Sequence, residues 1–455
     1  MPDRVYALSA LCLSALLLAS GLAYAAWGPP TTLIRPKPDV ITLGWTDPDP
    51  RALRLNIEWI QTELPFTGTG VSLWWPVPKG GSLAATPGIQ FREKSSTHKA
   101  LGWRVWRRER LDQEVVVGLI EEAKKSAPSQ VGRDNYLWLA PNLVAHEVVD
   151  PNYVVKETDL KGDLVGSSYF DWFDDQWWEL ILANSVDLAR IAEAGGMKGM
   201  IFDGDEYGSI MWATHWGPPR PVLINIPRFK GKSFEDFRAQ ARMRGRDWIK
   251  AVNQVMPEIT IQLPIGYSYI YHNKGSYVKK VEDWKYMTKS LLCAFIDGIL
   301  EASTDQTVVV ESCAPSYRKA MYHQLVKLRK IIKEEALLYT EVPEAYKKKV
   351  KVGFGFFVDS QNPDGAEWHE AEPDKNFMTP ARLEMAVRNG LEVGDGYIWL
   401  WSQMPSWWLK GKHSQFPKDS QPLQDHIEQD IYRWIHPDYY RAVERAIRDY
   451  RLAME

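Results

Sequence analysis

From about residue 40 onward the chain alternates between two hydrophobic periods. Short runs of β-branched and aromatic residues give way to longer segments whose apolar positions recur at helical spacing. The short runs are VITLGW (40–45), GVSLWW (70–75), NYLWLAP (135–141), KGMIFDG (198–204), EITIQLPIGY (258–267), AFIDGILEAS (294–303), VKVGFGFFVDS (350–360) and DGYIWLWSQ (395–403). Between them RALRLNIEWIQTEL, QEVVVGLIEEAKKSA, DDQWWELILANSVDLARIAEAGG, SFEDFRAQARMRGRDWIKAVNQV, KKVEDWKYMTKSL, YRKAMYHQLVKLRKIIKEEALL and TPARLEMAVRNGLEV read as helices. Several carry terminal signals, such as Gly after the third and Thr-Pro before the last.

No Ser/Gly linker or charge block divides the pattern, so it reads as a single α/β domain. Eight strands, each followed by helix or loop, predict one (β/α)8 TIM barrel over residues 26–455, including the C-terminal helices. Residues 76–109 and 143–173 exceed a minimal barrel and are expected to form long loop insertions on the active-site face. The run TVVVES (307–312) is expected to pair beside the sixth strand as a hairpin. A doubly wound open sheet is the alternative. It would place a Gly-rich phosphate loop after the first strand, where this chain has TDPDPRAL.

Residues 1–25 form their own class: an Arg near the start, an apolar stretch from Val5 to Leu18, then Ala23-Tyr24-Ala25. That pattern predicts a cleaved secretory signal, a secreted or periplasmic protein and no membrane span after its removal. Cys12 would leave with the signal. The remaining Cys293 and Cys313 could form one disulfide, although two small buried thiols fit the burial tendency of free Cys better.

A net charge of −3 without a basic tract gives no reason to expect nucleic acid as a partner. The 21 Trp are more than packing usually needs, because a buried indole must also find a partner for its N–H. Some of them are therefore expected to face a ligand.

Barrel enzymes draw catalytic groups from the C-terminal ends of strands, and here acids recur at those ends. Asp47 and Asp49 follow the first strand, Asp203, Asp205 and Glu206 end the fourth, Glu301 ends the sixth, Glu311 and Ser312 stand on the adjacent run, and Asp359 ends the seventh. Asp47, Asp49 and Asp359 have a plainer reading as caps or turn residues. For the cluster of three the plainer reading is a cation site or ion-pair network, and Glu301 could be an outward, solvated residue. Residues two apart on a strand share a face, so Asp203 and Asp205 are expected to point inward, with Glu206 at the turn. Close carboxylates cannot all ionise cheaply, which raises the pKa of one and provides a proton donor beside a charged partner.

Aromatic and hydrogen-bonding residues accompany these acids: Trp74 and Trp75, Tyr207, Tyr267, Tyr269 and His272, Phe356 and Phe357, Trp399, Trp401, Trp407 and Trp408. Sugars present C–H faces that stack on indoles and hydroxyls that bond to carboxylates, so carbohydrate would use both surpluses. The nine His form neither an H-x-H nor an HExxH pair, and no G-x-S-x-G occurs, so neither a metal nor a serine nucleophile is expected.

At the fourth and eighth strands the chain resembles secreted (β/α)8 glycoside hydrolases. FDGDEYG is similar to the chitinase-type strand end D-G-x-D-x-D-x-E, and GDGYIWLWS to the eighth strand whose Trp floors the sugar site. The resemblance implies Glu206 as general acid, with Asp205 or Asp203 positioning an acetamido group. Glu206 directly follows Asp205 here, so a two-carboxylate retaining mechanism is held equal, with an acid from the cluster and Glu301 or Glu311 as nucleophile. The expected function is an exported glycoside hydrolase acting on an oligo- or polysaccharide without an organic cofactor. The alternative is a catalytically silent carbohydrate-binding barrel.

Overall fold

The computed structural model describes residues 37–44, 47–55, 64–76, 98–127, 134–141, 168–205, 209–215, 222–273, 281–287, 289–362, 365, 368–403, 405–407 and 433–454. The signal-like segment 1–25, Glu206, Tyr207 and Trp408 lie outside them. Within the unit Lys37–Ala453, eight parallel strands close into a barrel. They are β1 (Asp39–Gly44), β2 (Gly68–Val71), β3 (Tyr136–Leu139), β4 (Gly199–Phe202), β5 (Thr260–Leu263), β6 (Val308–Glu311), β7 (Val350–Phe357) and β8 (Tyr397–Ser402). Each pairs with its sequence neighbours, and β8 returns to β1 in a ladder running from Asp39 opposite Tyr397 to Gly44 opposite Ser402.

Besides the short helices Pro50–Leu55 and Leu101–Arg104, the described residues form α1 (Gln113–Ser126), α2 (Asp175–Ala194), α3 (Phe234–Asn253), α4 (Tyr267–His272), α5 (Ser290–Ala302), α6 (Tyr322–Lys330), α7 (Pro343–Lys349), α8 (Pro380–Val393) and α9 (Pro437–Leu452). Their starts follow local chemistry. Ser233 and Asp236 close a reciprocal capping box on α3, and Asp174 accepts from the Trp177 N–H at α2. Thr379 caps α8 with Pro380 in the first turn.

One expected strand is corrected. Residues 294–303 are not the sixth strand but the body of α5, and the sixth strand is β6, formed by the run expected to be a mere hairpin. The segment is strongly apolar and buried continuously from Ser290 to Leu300, and a short apolar run of that kind suits a buried strand as well as a buried helix. Its place against α3 depends on close backbone approach. A Cβ on Gly298 would stand 2.0 Å from the Arg242 carbonyl oxygen, and one on Gly245 2.1 Å from that of Phe295.

Two smaller shifts accompany it. The second strand stops at Val71, and Trp74–Pro76 instead pairs antiparallel with His98–Ala100 beyond the barrel ladder. The fifth stops before Pro264, which lacks a donor for the ladder, and α4 begins at Tyr267.

Two cores result. Outside the barrel, a large layer includes Trp106, Phe170, Trp172, Trp178, Phe202, Trp212 and Phe295, with ring centroids 5.1 Å apart for Trp106–Trp178 and 5.5 Å for Phe202–Phe295. Inside, Ile41, Leu43, Tyr136, Trp138, Ile201 and Trp399 form a separate cluster. At the floor of the barrel Asp39 accepts from Tyr136 Oη at 2.5 Å and from Lys198 Nζ at 2.7 Å, while Lys198 also reaches Asp134 at 3.0 Å. Burial pushes the Asp39 carboxyl up to about 6 against the pull of Lys198. Cys293 and Cys313 are buried free thiols.

Candidate active site

The mouth of the barrel is organised around the end of β4. Asp203 extends its ladder by one residue, donating its N–H to Leu139 O at 2.8 Å, and continues the inward face of Ile201. The chain then turns so that the Asp205 N–H donates to Asp203 Oδ1 at 3.2 Å. Lys289, at the head of α5, donates from Nζ to Gly204 O and to Asp205 Oδ1, each at 3.1 Å.

The two carboxyls therefore have unlike surroundings. Asp203 is 8% exposed, whereas Asp205 is partly open and ion-paired with Lys289. Burial, followed by the neighbouring Asp205 charge, lifts Asp203 to about 7, with the Asp205 N–H, Lys289 and the Trp138 side chain pulling the other way.

Aromatic side chains surround the pair. Trp138 meets Trp401 edge-on at 5.9 Å between ring centroids, Trp401 meets Trp399 at 6.3 Å, and Tyr317 lies 5.3 Å from Trp399 and 5.5 Å from Phe357. The Trp399 ring fits because its neighbour on β7 is Gly355; a Cβ there would stand 2.3 Å from the indole. Its N–H donates to Ser312 O at 2.8 Å. Burial raises the Tyr269 and Tyr317 hydroxyls, and the charges of Asp205 and Asp203 add to it.

Other expected site residues lie elsewhere. Glu301 sits near the C-terminal end of α5, which leads into the start of β6 and so belongs to the barrel end opposite the mouth; Arg242 and Arg246 hold its carboxylate at 3.0 and 3.3 Å. Glu311 ends β6 but points outward, opposite Leu263, accepting from the Ser268 N–H and, at 2.7 Å, from Tyr346 Oη. Tyr267 is core, its hydroxyl donating to Asp297 at 2.8 Å. These three placements correct the expectation of a mouth-facing nucleophile and a mouth-facing Tyr267.

Tyr269, Trp399 and Trp401 are at the mouth. His272 is exposed at the end of α4, where partial burial and then Lys319 and Lys327 lower its pKa. Asp359 accepts from the Gln403 N–H at 2.8 Å and joins the ends of β7 and β8. Asp49 caps the helix Pro50–Leu55 and pairs with Arg51, as the capping reading expects. Trp74 and Trp75 stand in the ribbon, with their side chains outside the described residues. Trp407 packs on Phe66 and Tyr440 instead of a cleft.

Three mouth residues escaped sequence reasoning. Trp138 was legible as the inward position of an expected strand, whereas Lys289 and Tyr317 flank the element whose type was misread. Among the described residues no three His, Cys, Asp or Glu side chains gather as a metal would require, and no helix is long and apolar enough to cross a membrane.

Comparison with solved structures places the barrel beside several others. The chain is similar to the exo-β-1,4-mannosidase Op5Man5 from Opitutaceae bacterium strain TAV5, at 12% identity over 92% of this chain and 60% of that one, with a TM-score of 0.42. It is similar to the GH5_18 protein from Streptomyces cattleya in complex with GlcNAc, at 12% identity over 92% and 81%, TM-score 0.41. A putative sugar phosphate isomerase/epimerase from Anabaena variabilis matches at 10% identity over 92% and 99%, TM-score 0.35. The chain spans 60% of the length of the mannosidase. No family model matches the sequence, and no curated protein does.

Proposed function

We propose that the protein is an exported glycoside hydrolase that cleaves O-glycosidic bonds of an oligo- or polysaccharide by carboxylate acid/base catalysis, with Asp203 as proton donor. The observation that carries this reading is the inequality of the two carboxyls at the end of β4. Asp203, raised to about 7, is still protonated in about half of the molecules at neutral pH, while Asp205 faces a lysine ammonium. A carboxylic acid beside a carboxylate is what glycosidic cleavage uses: the first protonates the departing oxygen and the second acts as nucleophile, as base for water or as a prop for a substrate group.

With Glu301 and Glu311 turned away, the second carboxylate comes from the same strand end, either Asp205 or its neighbour Glu206, which lies outside the described residues. Trp401 and Tyr317, both partly exposed, supply apolar ring faces for a pyranose over the buried Trp138 and Trp399, and Tyr269, also partly exposed, adds a hydroxyl. Export rests on the pattern of residues 1–25.

The test is a glycan panel with the parent protein, Asp203→Asn and Asp205→Asn. Loss of a general acid is expected to lower turnover by about 10²–10⁴-fold, with sugar binding, read from tryptophan fluorescence, retained in both variants. A parent protein that binds glycans and hydrolyses none would instead establish the silent binding barrel.

A further inference from the structure

Lys289 is neither at a strand end nor in a recognisable motif, yet its ammonium is brought to the centre of the mouth. Its side chain is 8% exposed, an unusual degree of burial for lysine. It makes one bond to a carbonyl oxygen, Gly204 O, and one to a carboxylate, Asp205 Oδ1, both at 3.1 Å. These contacts fasten the two residues that follow Asp203 to the head of α5, so the turn carrying Asp205 is held by a helix and not by loop contacts alone. Among the described residues the groups acting on Asp203 are Asp205 on the same turn, Trp138 from β3, Lys289 at the head of α5, and the tyrosines Tyr269 from α4 and Tyr317 beyond β6. Among these described groups Lys289 alone carries positive charge.

We propose that Lys289 is the positioning residue of the acid pair: it clamps Asp205 as the carboxylate and thereby sets the pH at which Asp203 gives up its proton. This rests on the reading of Asp203 as the proton donor. The lysine bonds to Gly204 and Asp205 and not, among the described contacts, to the proton donor Asp203. It acts by fixing the Gly204–Asp205 turn and by supplying the charge that partly offsets the burial of Asp203 and its repulsion by Asp205. Without the ammonium both remaining influences drive Asp203 further up, whereas without Asp205 one of them disappears and Asp203 falls.

The two substitutions thus move the same titration in opposite directions. Protein labelled with 13C at the aspartate carboxyls allows the Asp203 resonance to be identified by its loss in Asp203→Asn and followed against pH, with or without turnover. The parent midpoint is expected at about 7. Lys289→Met should raise it by about half a unit or more and Asp205→Asn should lower it, on the scale that a single nearby charge imposes. Lys289→Arg should restore it. If Lys289→Met does not fold, Lys289→Gln removes the charge while keeping a donor for Gly204 and reads the same shift.

On a hydrolysed glycan, the alkaline limb of kcat/KM should move up in Lys289→Met by the same amount, since the acid form of Asp203 then persists to higher pH. An unmoved Asp203 midpoint in the charge-removing variant would overturn the role of Lys289 and leave the glycosidase reading intact. Full hydrolysis by Asp203→Asn would overturn that reading while the Lys289 titration still stood.

Discussion

Asp203 combines two properties that conflict in a folded protein: it is buried against Trp138 and it faces another carboxylate. Its pKa is raised from 3.8 to about 7, so the native state holds a proton that the unfolded chain has already released. The stabilisation from that proton is complete below about pH 4 and is lost as pH rises through about 7. Asp203→Asn removes the loss, because the amide has no proton to release. We therefore expect this variant to be more heat-stable than the parent at pH 8 by on the order of 1 kcal/mol or more, and little changed at pH 4. Differential scanning calorimetry at the two pH values measures this, and equal effects at both would contradict it. The same substitution is expected to abolish hydrolysis, so one residue would show stability and activity pulling apart. Sequence spacing alone was enough to turn Asp203 inward; it could not show that Lys289, 86 positions on, would reach Asp205, because that contact is made across the mouth by the head of a helix.

α5 explains much of what was and was not legible at the scale of elements. Strands with one polar neighbour or a Gly/Pro boundary, such as β4 and β8, stood out by pattern, and seven of the eight expected strands overlap barrel strands. The segment SLLCAFIDGILEA is almost wholly apolar and lies enclosed by α3, the barrel and α7, and composition then favours neither element type. That single misreading put Glu301 at the mouth and left Tyr317 unnoticed. The tryptophan surplus was likewise divided by elements. β8 presents Trp399 and Trp401 to the mouth, whereas Trp172, Trp177 and Trp178, next to and within α2, belong to the outer aromatic layer, where Trp172 and Trp177 give their N–H groups to the carbonyls of Met211 and Trp106. Phe295 on α5 joins that layer, 5.4 Å from Trp106 and 5.7 Å from Trp212. Phe295→Ala should lower stability by about 3–5 kcal/mol in urea unfolding, and a change under about 1 kcal/mol would show that the layer is not packed as described.

The unit Lys37–Ala453 is built on a barrel with a charged cluster at each end and a mainly apolar interior between them. At the floor, Lys198 serves Asp39 and Asp134; at the mouth, Lys289 serves the turn after β4. Both floor acids are almost fully buried, so Lys198→Met would leave them without their cation. We expect a loss of about 3–5 kcal/mol in urea unfolding, with the pH profile of hydrolysis unmoved. Ile41, Leu43 and Ile201 pack between the two clusters, which share no described side-chain contact, with the buried Gln262 accepting from Ser312 Oγ beside them. The free energies of Lys198→Met and Asp203→Asn should therefore add to within about 0.5 kcal/mol when combined. Such insulation has a historical consequence. A lineage carrying this barrel could exchange one rim carboxylate or indole for another, and so change what the mouth accepts, without first re-solving the problem of staying folded.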